Sequence, residues 1–526
     1  MQPRYVLPAR EPARTINLET KPRQVEAWIL RLPLSNPAEA AEELADYLTT
    51  LNRADVAHDV RAKIIEHLYP VVEDMAGSLR EQYGSVSLPL PTKQRRNAEL
   101  AHRLWLETAD CYQTLTLDWL SKRFHLFGGN PLPLYLQRIL LALQAVLEVS
   151  YETHESCPHA VWVELHQTYN YALCNGLKDA IPEGSKRMVS LEQIYKSTLL
   201  LALADPYHFP QRELPWAKDI IARFANLANL FPAEDTTKGH AGLFLIEINT
   251  DTPPRPLARE PHPTNPRWEL LLNTTDLAKH LALLTSHLRG QEDIEKLGLP
   301  EAARDPAYAT MLRRLKLNWG ASLQRMAQRR RHLQNGREFE VSFGLKALHY
   351  LILPPTHSDA IVYGSGAHEP PPSTQQCLTV NDSMGGLSLR YSGKGGIQIR
   401  VGDVVGLRQG NGTWSIGLVR WFRIPAAGEL FFGVQLLAPD AEAVHLRRLD
   451  NGRQWPGLLL QPNAITRQAP MLLSLPSAFS PDVIAEAHTV RGKLTITVEK
   501  RLESTPSVEI YRIQTQTAAT AAAPVS

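Results

Sequence analysis

Cys377-Leu378-Thr379-Val380-Asn381-Asp382-Ser383-Met384-Gly385-Gly386-Leu387-Ser388-Leu389 sets a polar, glycine-ended turn between two apolar runs. The flanking runs read as strands, and the turn is a poor place for core packing. It is a good place to present a carboxamide (Asn381), a hydroxyl (Ser383) and backbone N–H groups to an anionic or purine ligand. The competing reading is a plain hairpin turn, because turns of this composition are mostly structural.

Working outward from the turn, the chain keeps a strand-rich character from Gly336 onward. Glu338-Phe339-Glu340-Val341-Ser342-Phe343 alternates polar and apolar, and a proline- and glycine-rich passage (354–373) then predicts an exposed loop. Gly402-Asp403-Val404-Val405-Gly406-Leu407, Ile416-Gly417-Leu418-Val419-Arg420-Trp421 and Leu430-Phe431-Phe432-Gly433-Val434-Gln435-Leu436 follow. Short strands so closely punctuated by Gly and Asn-Gly predict a small closed barrel. Beyond it, Arg491-Gly492-Lys493-Leu494-Thr495-Ile496-Thr497-Val498 and Val508-Glu509-Ile510-Tyr511-Arg512-Ile513 predict one more strand pair, and the Ala/Thr-rich end (514–526) a disordered tail.

Upstream the pattern is helical, from about residue 20 to about 328. Asn36-Pro37-Ala38-Glu39 is a helix start, with Leu44, Tyr47, Leu48 and Leu51 on one face behind it. Val60, Ile64, Ile65 and Leu68 repeat the theme until Pro70, where a helix is expected to close. Leu136, Ile139, Leu140, Leu143, Val146 and Leu147 form the broad stripe of a helix buried in a bundle. Further helices are expected near 162–174, 191–204, 216–230 and 273–288, and the six prolines between 251 and 266 predict a long loop.

Composition bounds the function. A chain of 526 residues with 44% hydrophobic and 21% charged residues is a multidomain globular protein, and a formal net charge of +2 gives no global field toward nucleic acid or acidic membrane. Any anion site must therefore be local. The first 14 residues lack the apolar segment of a signal peptide, and the apolar run 139–147 is short for a membrane span. Four scattered cysteines (Cys111, Cys157, Cys174, Cys377) fit a reducing cytoplasm.

Asn381-x-Ser383-x-x-Gly386, with the ordered strands behind it, resembles the second signature of PilZ domains, small bacterial β-barrels that bind cyclic di-GMP. The family's other signature, Arg-x-x-x-Arg ahead of the first strand, is matched in spacing by Arg325 and Arg329, with Arg330 and Arg331 directly after. If the first strand begins at Glu338, a second register places Arg337 and Leu333 in those positions instead. The resemblance implies that Arg325, Arg329, Arg330 or Arg331, together with Asn381, Ser383 and Gly386, bind cyclic di-GMP. Guanidinium forks match its phosphodiesters and guanine edges. The bland alternative makes the arginines the solvated end of a helix.

Other clusters carry less. His154, Cys157, His159, His166 and Cys174 lack the paired spacing of a zinc site, and no metal is expected. Glu213, Asp219, Glu234 and Asp235 suit helix capping better than acid–base chemistry, and no nucleophile elbow or phosphate loop occurs. The expected fold is multidomain α + β: a flexible start (1–19), an all-α helical bundle or array (20–324), a PilZ-like β-barrel (325–440), a C-terminal β-hairpin extension (441–513) and a disordered tail (514–526). The expected function is that of a cytoplasmic, non-enzymatic bacterial effector. It takes cyclic di-GMP as ligand rather than any cofactor, meets a protein partner through its helical domain, and neither binds nucleic acid nor inserts in a membrane. The alternative is a scaffold or adaptor whose barrel is blind to ligand.

Overall fold

The computed structural model describes residues 2–12, 16, 18–122, 129–183, 185–234, 236–238, 240–257, 261–263, 265–289, 294–320, 330–331, 336–353, 372–383, 385–393, 396–426, 428–449, 452–461, 469–479, 484–489 and 492–517. The chain divides into two compact units, Met1–Pro206 with Gln211–Gln324, and Tyr207–Pro210 with Arg325–Ser526.

The first unit carries ten helices among its described residues: α1 (Pro22–Ile29), α2 (Pro37–Arg53), α3 (His58–Tyr83), α4 (Thr92–Ser121), α5 (Leu132–Thr153), α6 (Val161–Cys174), α7 (Leu191–Leu203), α8 (Leu214–Phe224), α9 (Thr275–Arg289) and α10 (Pro306–Gly320). α5 is apolar on nearly every side and packs against α4, α6 and α7. At 22 residues it is longer than its apolar run suggested, long and apolar enough by composition to cross a membrane. Most of it is buried inside the unit, however, where Gln137 Nε2 donates to Val189 O at 3.0 Å and the Arg138 guanidinium lies 3.6 Å from the centre of the Tyr69 ring. α3 departs from expectation, running through Pro70 for 26 residues. Leu68, Tyr69 and Val72 are all buried there, and that packing offsets the lost hydrogen bond and the crowding of the proline ring.

Two further expectations are corrected here. The helical unit is not all-α: strands β1 (Glu11–Pro12) and β2 (Ala54–Asp55) pair in parallel, and β3 (Asn229–Pro232), β5 (Leu243–Glu247), β6 (Arg255–Pro256) and β8 (Glu269–Asn273) form an antiparallel sheet in the order β3-β8-β5-β6. β4 (Thr236–Lys238) pairs with β7 (Pro261–Pro263). β5 is buried along most of its length, so its sequence shows no alternation and does not separate strand from helix. The proline-rich segment after Asp251 is therefore partly stranded, and Asp251 itself caps α6 by accepting from Ala160 N (2.7 Å) and Trp162 N (3.0 Å). The N-terminal residues are held rather than loose. Tyr5 Oη lies 3.1 Å from Thr168 Oγ1, Val6 N donates to Glu164 Oε1 (3.1 Å), and Arg10 pairs with Asp118 at 2.8 Å.

The second unit holds two closed barrels. In the first, β9 (Arg330–Arg331), β10 (Glu338–Phe343), β11 (Gln375–Ser383), β12 (Gly386–Tyr391), β13 (Val404–Arg408), β14 (Ser415–Ala426) and β15 (Glu429–Ala438) run in the order β10-β13-β14-β15-β12-β11-β9, and β10 pairs with β11 to close it. α11 (Leu345–Ile352) follows β10. The second barrel, β16 (Glu442–Arg448), β17 (Gln454–Leu460), β18 (Met471–Ser474), β19 (Ile484–Thr489), β20 (Gly492–Ser504) and β21 (Glu509–Thr517), closes in the order β16-β17-β18-β21-β20-β19.

The strand pair expected at the C-terminus is thus one hairpin of a complete barrel. It also reaches into the expected tail, since residues 514–517 pair with 494–497; residues 518–526 lie outside the described residues. The two barrels share one core: Leu345 and Leu348 of α11 pack with Val404, Ile416 and Leu418 of the first barrel and Leu458, Leu473 and Ile510 of the second. A bidentate pair, Arg420 with Glu503, joins them at the surface.

Candidate ligand site

β11 carries the turn that opened the sequence reading. Its ladder with β12 runs Thr379↔Leu389, then Asn381↔Ser388, Asp382↔Leu387 and Ser383↔Gly386. Val380 is therefore an extra, bulged residue, and a bulge re-aims the side chains that follow it, here Asn381 onward. The hairpin closes in two residues, with Ser383 Oγ donating to Gly386 O at 3.1 Å and Leu436 N to Gly385 O at 3.1 Å. Asn381 is half-buried, and its carboxamide makes no hydrogen bond with another described residue.

The arginine segment meets this turn. β9 pairs antiparallel with β11, Arg331 opposite Asn381 and Arg330 opposite Asp382. The distance in sequence between the arginines and the first long strand is absorbed by a register jump. Between the Glu338↔Leu378 and Arg331↔Asn381 pairs, β11 advances three residues while the facing chain goes back seven, an excess of four. Arg330 and Arg331 are placed by backbone only. Arg325 and Arg329, and Leu333 of the second register, lie outside the described residues.

Arg337 is also at the turn. Its carbonyl accepts from both Thr379 N and Thr379 Oγ1 at 3.0 Å, and its guanidinium pairs with Asp382, with the side chains 49% and 20% exposed. The sequence reading gave Asp382 no role. The signal that could have found it was the strand register, which aligns Arg337 with the residues leading into the turn.

Gly386 has a reason to be glycine that is independent of ligand. A Cβ there would lie 2.2 Å from Val434 O of β15. Two other barrel arginines are committed elsewhere: Arg408 to Glu340 (2.6 and 2.9 Å), beneath Trp414, and Arg420 to Glu503 and Gln435. Cys377, also on β11, is no nucleophile, because burial pushes its thiol up to about 12.

The clusters set aside in the sequence are built into the helical unit. His166 lies within 2.6 Å of Tyr195 Oη and 2.9 Å of Thr252 O, and burial drives its pKa down to about 4. Glu213 pairs with Arg314 and Asp219 with Arg223. Among the described residues no group of three or more His, Cys, Asp or Glu side chains is arranged to hold a metal.

Comparison with known proteins agrees with this layout. The family model described as the N-terminal domain of the cyclic-di-GMP receptor FimW matches residues 23–234, and that described as its middle PilZ domain matches residues 243–369 and 358–443. The cyclic-di-GMP receptor FimW of Pseudomonas aeruginosa is 24% identical over 513 residues, covering 83% of this chain and 80% of that protein. The second segment of the PilZ match takes in β11 to β15, and with them the Asn381–Gly386 turn. The chain is a PilZ-domain protein with a large N-terminal helical domain.

Proposed function

We propose that this protein is a cyclic di-GMP-binding effector of the bacterial cytoplasm, a binding regulator rather than an enzyme. One observation carries the reading: the backbone of Arg330 and Arg331 is paired to Asn381 and Asp382, so the two signature segments converge on one edge of the barrel. The similarity to a protein named as a cyclic-di-GMP receptor supports the choice of ligand. Cyclic di-GMP offers two phosphodiester anions and two guanines. The arginine segment (Arg325, Arg329, Arg330, Arg331) supplies forks for phosphate and for guanine O6 and N7, and Asn381 and Ser383 supply directional hydrogen bonds. Each charge-assisted bond is worth about 1.5–3 kcal/mol, so two or three of them separate a micromolar binder from a very weak one.

The arginine segment also begins at one of the chain connections between the two units, at 324/325. Ligand that orders it onto the barrel changes the restraint on that connection, and this is the route by which binding reaches the helical domain and its protein partner. Such a shift is limited to the difference in ligand affinity between the two arrangements. Calorimetric titration of cyclic di-GMP into the full chain tests the reading, alongside Arg325→Ala/Arg329→Ala and Arg330→Ala/Arg331→Ala. Micromolar binding lost in one pair fixes the register. Absence of heat and of thermal shift in the parent protein leaves the barrel as a ligand-blind docking module of a scaffold.

A further inference from the structure

We infer that the second barrel is a repeat of the first with no ligand site of its own: the face equivalent to the signature turn is built instead as the apolar seam that braces one barrel against the other. This rests on the cyclic di-GMP reading above for what the first barrel binds. It gives a role to β16–β21, nearly all of which lies beyond the residues matched by either family model.

The two barrels have one topology. Numbered 1 to 6 along the chain, the strands of the first are β10 to β15 and those of the second β16 to β21. In each barrel strand 1 pairs with 2 and 4, strand 6 pairs with 3 and 5, and the 2–3 and 4–5 pairs complete the ring. Every pairing is antiparallel in both. The signature turn closes the hairpin of strands 2 and 3 in the first barrel, so the β17–β18 hairpin is its counterpart in the second.

The counterpart has the opposite chemistry. In a ladder, opposed residues share a face and successive residues alternate. Leu389 and Phe432 face each other and are fully buried in the first barrel, so the rows on either side of them alternate to the outside. Those outer rows are Asn381–Ser388–Gly433 and Ser383–Gly386–Gln435. Counted from the last pair of the hairpin, the equivalent rows of the second barrel are Leu458–Leu473–Ile510 and Leu460–Met471–Arg512. Between them Leu459, Leu472 and Tyr511 belong to the second barrel's own core. One carboxamide, two hydroxyls and two glycines thus give way to Leu458, Leu460, Leu473, Met471 and Ile510. All five are buried, and they pack with Leu348 of α11 and with Val404, Ile416 and Leu418 of the first barrel. Nothing on those side chains donates to a phosphodiester, and an anion buried there without partners is costly.

Hydrogen–deuterium exchange on the full chain, read peptide by peptide, tests both halves. Cyclic di-GMP is expected to slow exchange in the β11–β12 hairpin and to leave the β17–β18 hairpin unchanged. The variant Arg325→Ala/Arg329→Ala/Arg330→Ala/Arg331→Ala should lose the whole ligand response. Slowing at β17–β18 that survives in that variant reveals a second site and overturns the inference. The seam is read without ligand. Leu473→Ala should lower the melting midpoint of the barrel unit by roughly 4–20 °C and speed exchange in β13 and β14 as well as in β17 and β18. Ile510→Val, a smaller deletion, should move both readouts the same way to a lesser extent. Exchange that quickens only within the second barrel overturns the bracing role. A parent with no ligand response anywhere overturns the cyclic di-GMP reading instead, and the ligand-free arm still decides the seam.

Discussion

Replacing Gly386 with alanine separates a structural glycine from a ligand-facing one. The added Cβ would sit 2.2 Å from Val434 O, where the obstacle is backbone at the first pairs of the β12–β15 ladder, with Gly386 opposite Gln435. No side chain can swing aside, so the strands must separate by about 1 Å, an overpacking cost of about 1–3 kcal/mol. Strained ladder hydrogen bonds add about 1 kcal/mol. The total, about 2–4 kcal/mol, corresponds to a lowering of the unfolding midpoint by roughly 4–16 °C for a unit of this size. Differential scanning calorimetry of the full chain, following the transition of the barrel-containing unit, measures it. Asn381→Ala is the control. Its carboxamide has no described partner, so its midpoint should stay within about 1–2 °C while cyclic di-GMP binding weakens. A Gly386→Ala protein that melts like the parent but has lost binding would refute the packing argument and return the glycine to the ligand.

Four further outcomes are expected. Burial, with Glu107 and Glu164 nearby, pushes the Asp110 carboxyl up to about 8. The folded state thus binds its proton more tightly than the unfolded chain, and the stability so contributed is full below about pH 4 and lost as pH rises through about 8. Asp110→Asn should flatten the fall in unfolding midpoint between those limits, and parallel profiles for parent and variant would count against it. Leu348→Ala should cost about 2–5 kcal/mol and Gly406→Ala, whose Cβ would meet Leu348 Cδ2 at 2.2 Å, about 1–3 kcal/mol; denaturant titration of the double variant should fall short of their sum, the cavity accepting the methyl. Of the four thiols only Cys174 is exposed, and Cys111, Cys157 and Cys377 have pKa values raised chiefly by burial, so a thiol reagent at pH 8 should label one site in the native protein and four after denaturation. A chain ending at residue 440 loses Leu458, Leu460, Leu473 and Ile510 from the shared core and should keep the thermal transition of the helical unit but lose that of the barrel unit; a second sharp transition would show that the first barrel stands alone.

Where a single face was buried, the sequence was readable. The stripes at Leu44–Leu51 and Ile64–Leu68 belong to α2 and α3. Where burial is two-sided the pattern fails, because periodicity vanishes when both faces are apolar. That is why β5, Leu243 to Glu247, was lost in a helical reading. The second barrel was missed for another reason. Its β16, β17 and β18 are short, β17 contains Pro456, and β18 pairs with β21 some 40 residues further on, so closure comes from long-range pairing that no local window displays. Pro70 shows the reverse, a strong local signal overruled by packing.

The turn itself was visible because its chemistry is contiguous in sequence; the arginines were not placed because their position depends on register. Counted along the chain, Arg330 and Arg331 stand seven or more residues before Glu338, too far for a signature expected just ahead of the first strand. Counted across the sheet, they lie opposite Asp382 and Asn381, because the facing chain spends four more residues than β11 between the two pairings. Arg337 lies next to Thr379, and the backbone of Arg330 and Arg331 lies beside the turn. With a net charge of only +2, the protein has no diffuse field to collect anions. An anion site in it has to be local, and the described backbone brings Arg330 and Arg331 opposite Asp382 and Asn381 at one edge of the first barrel.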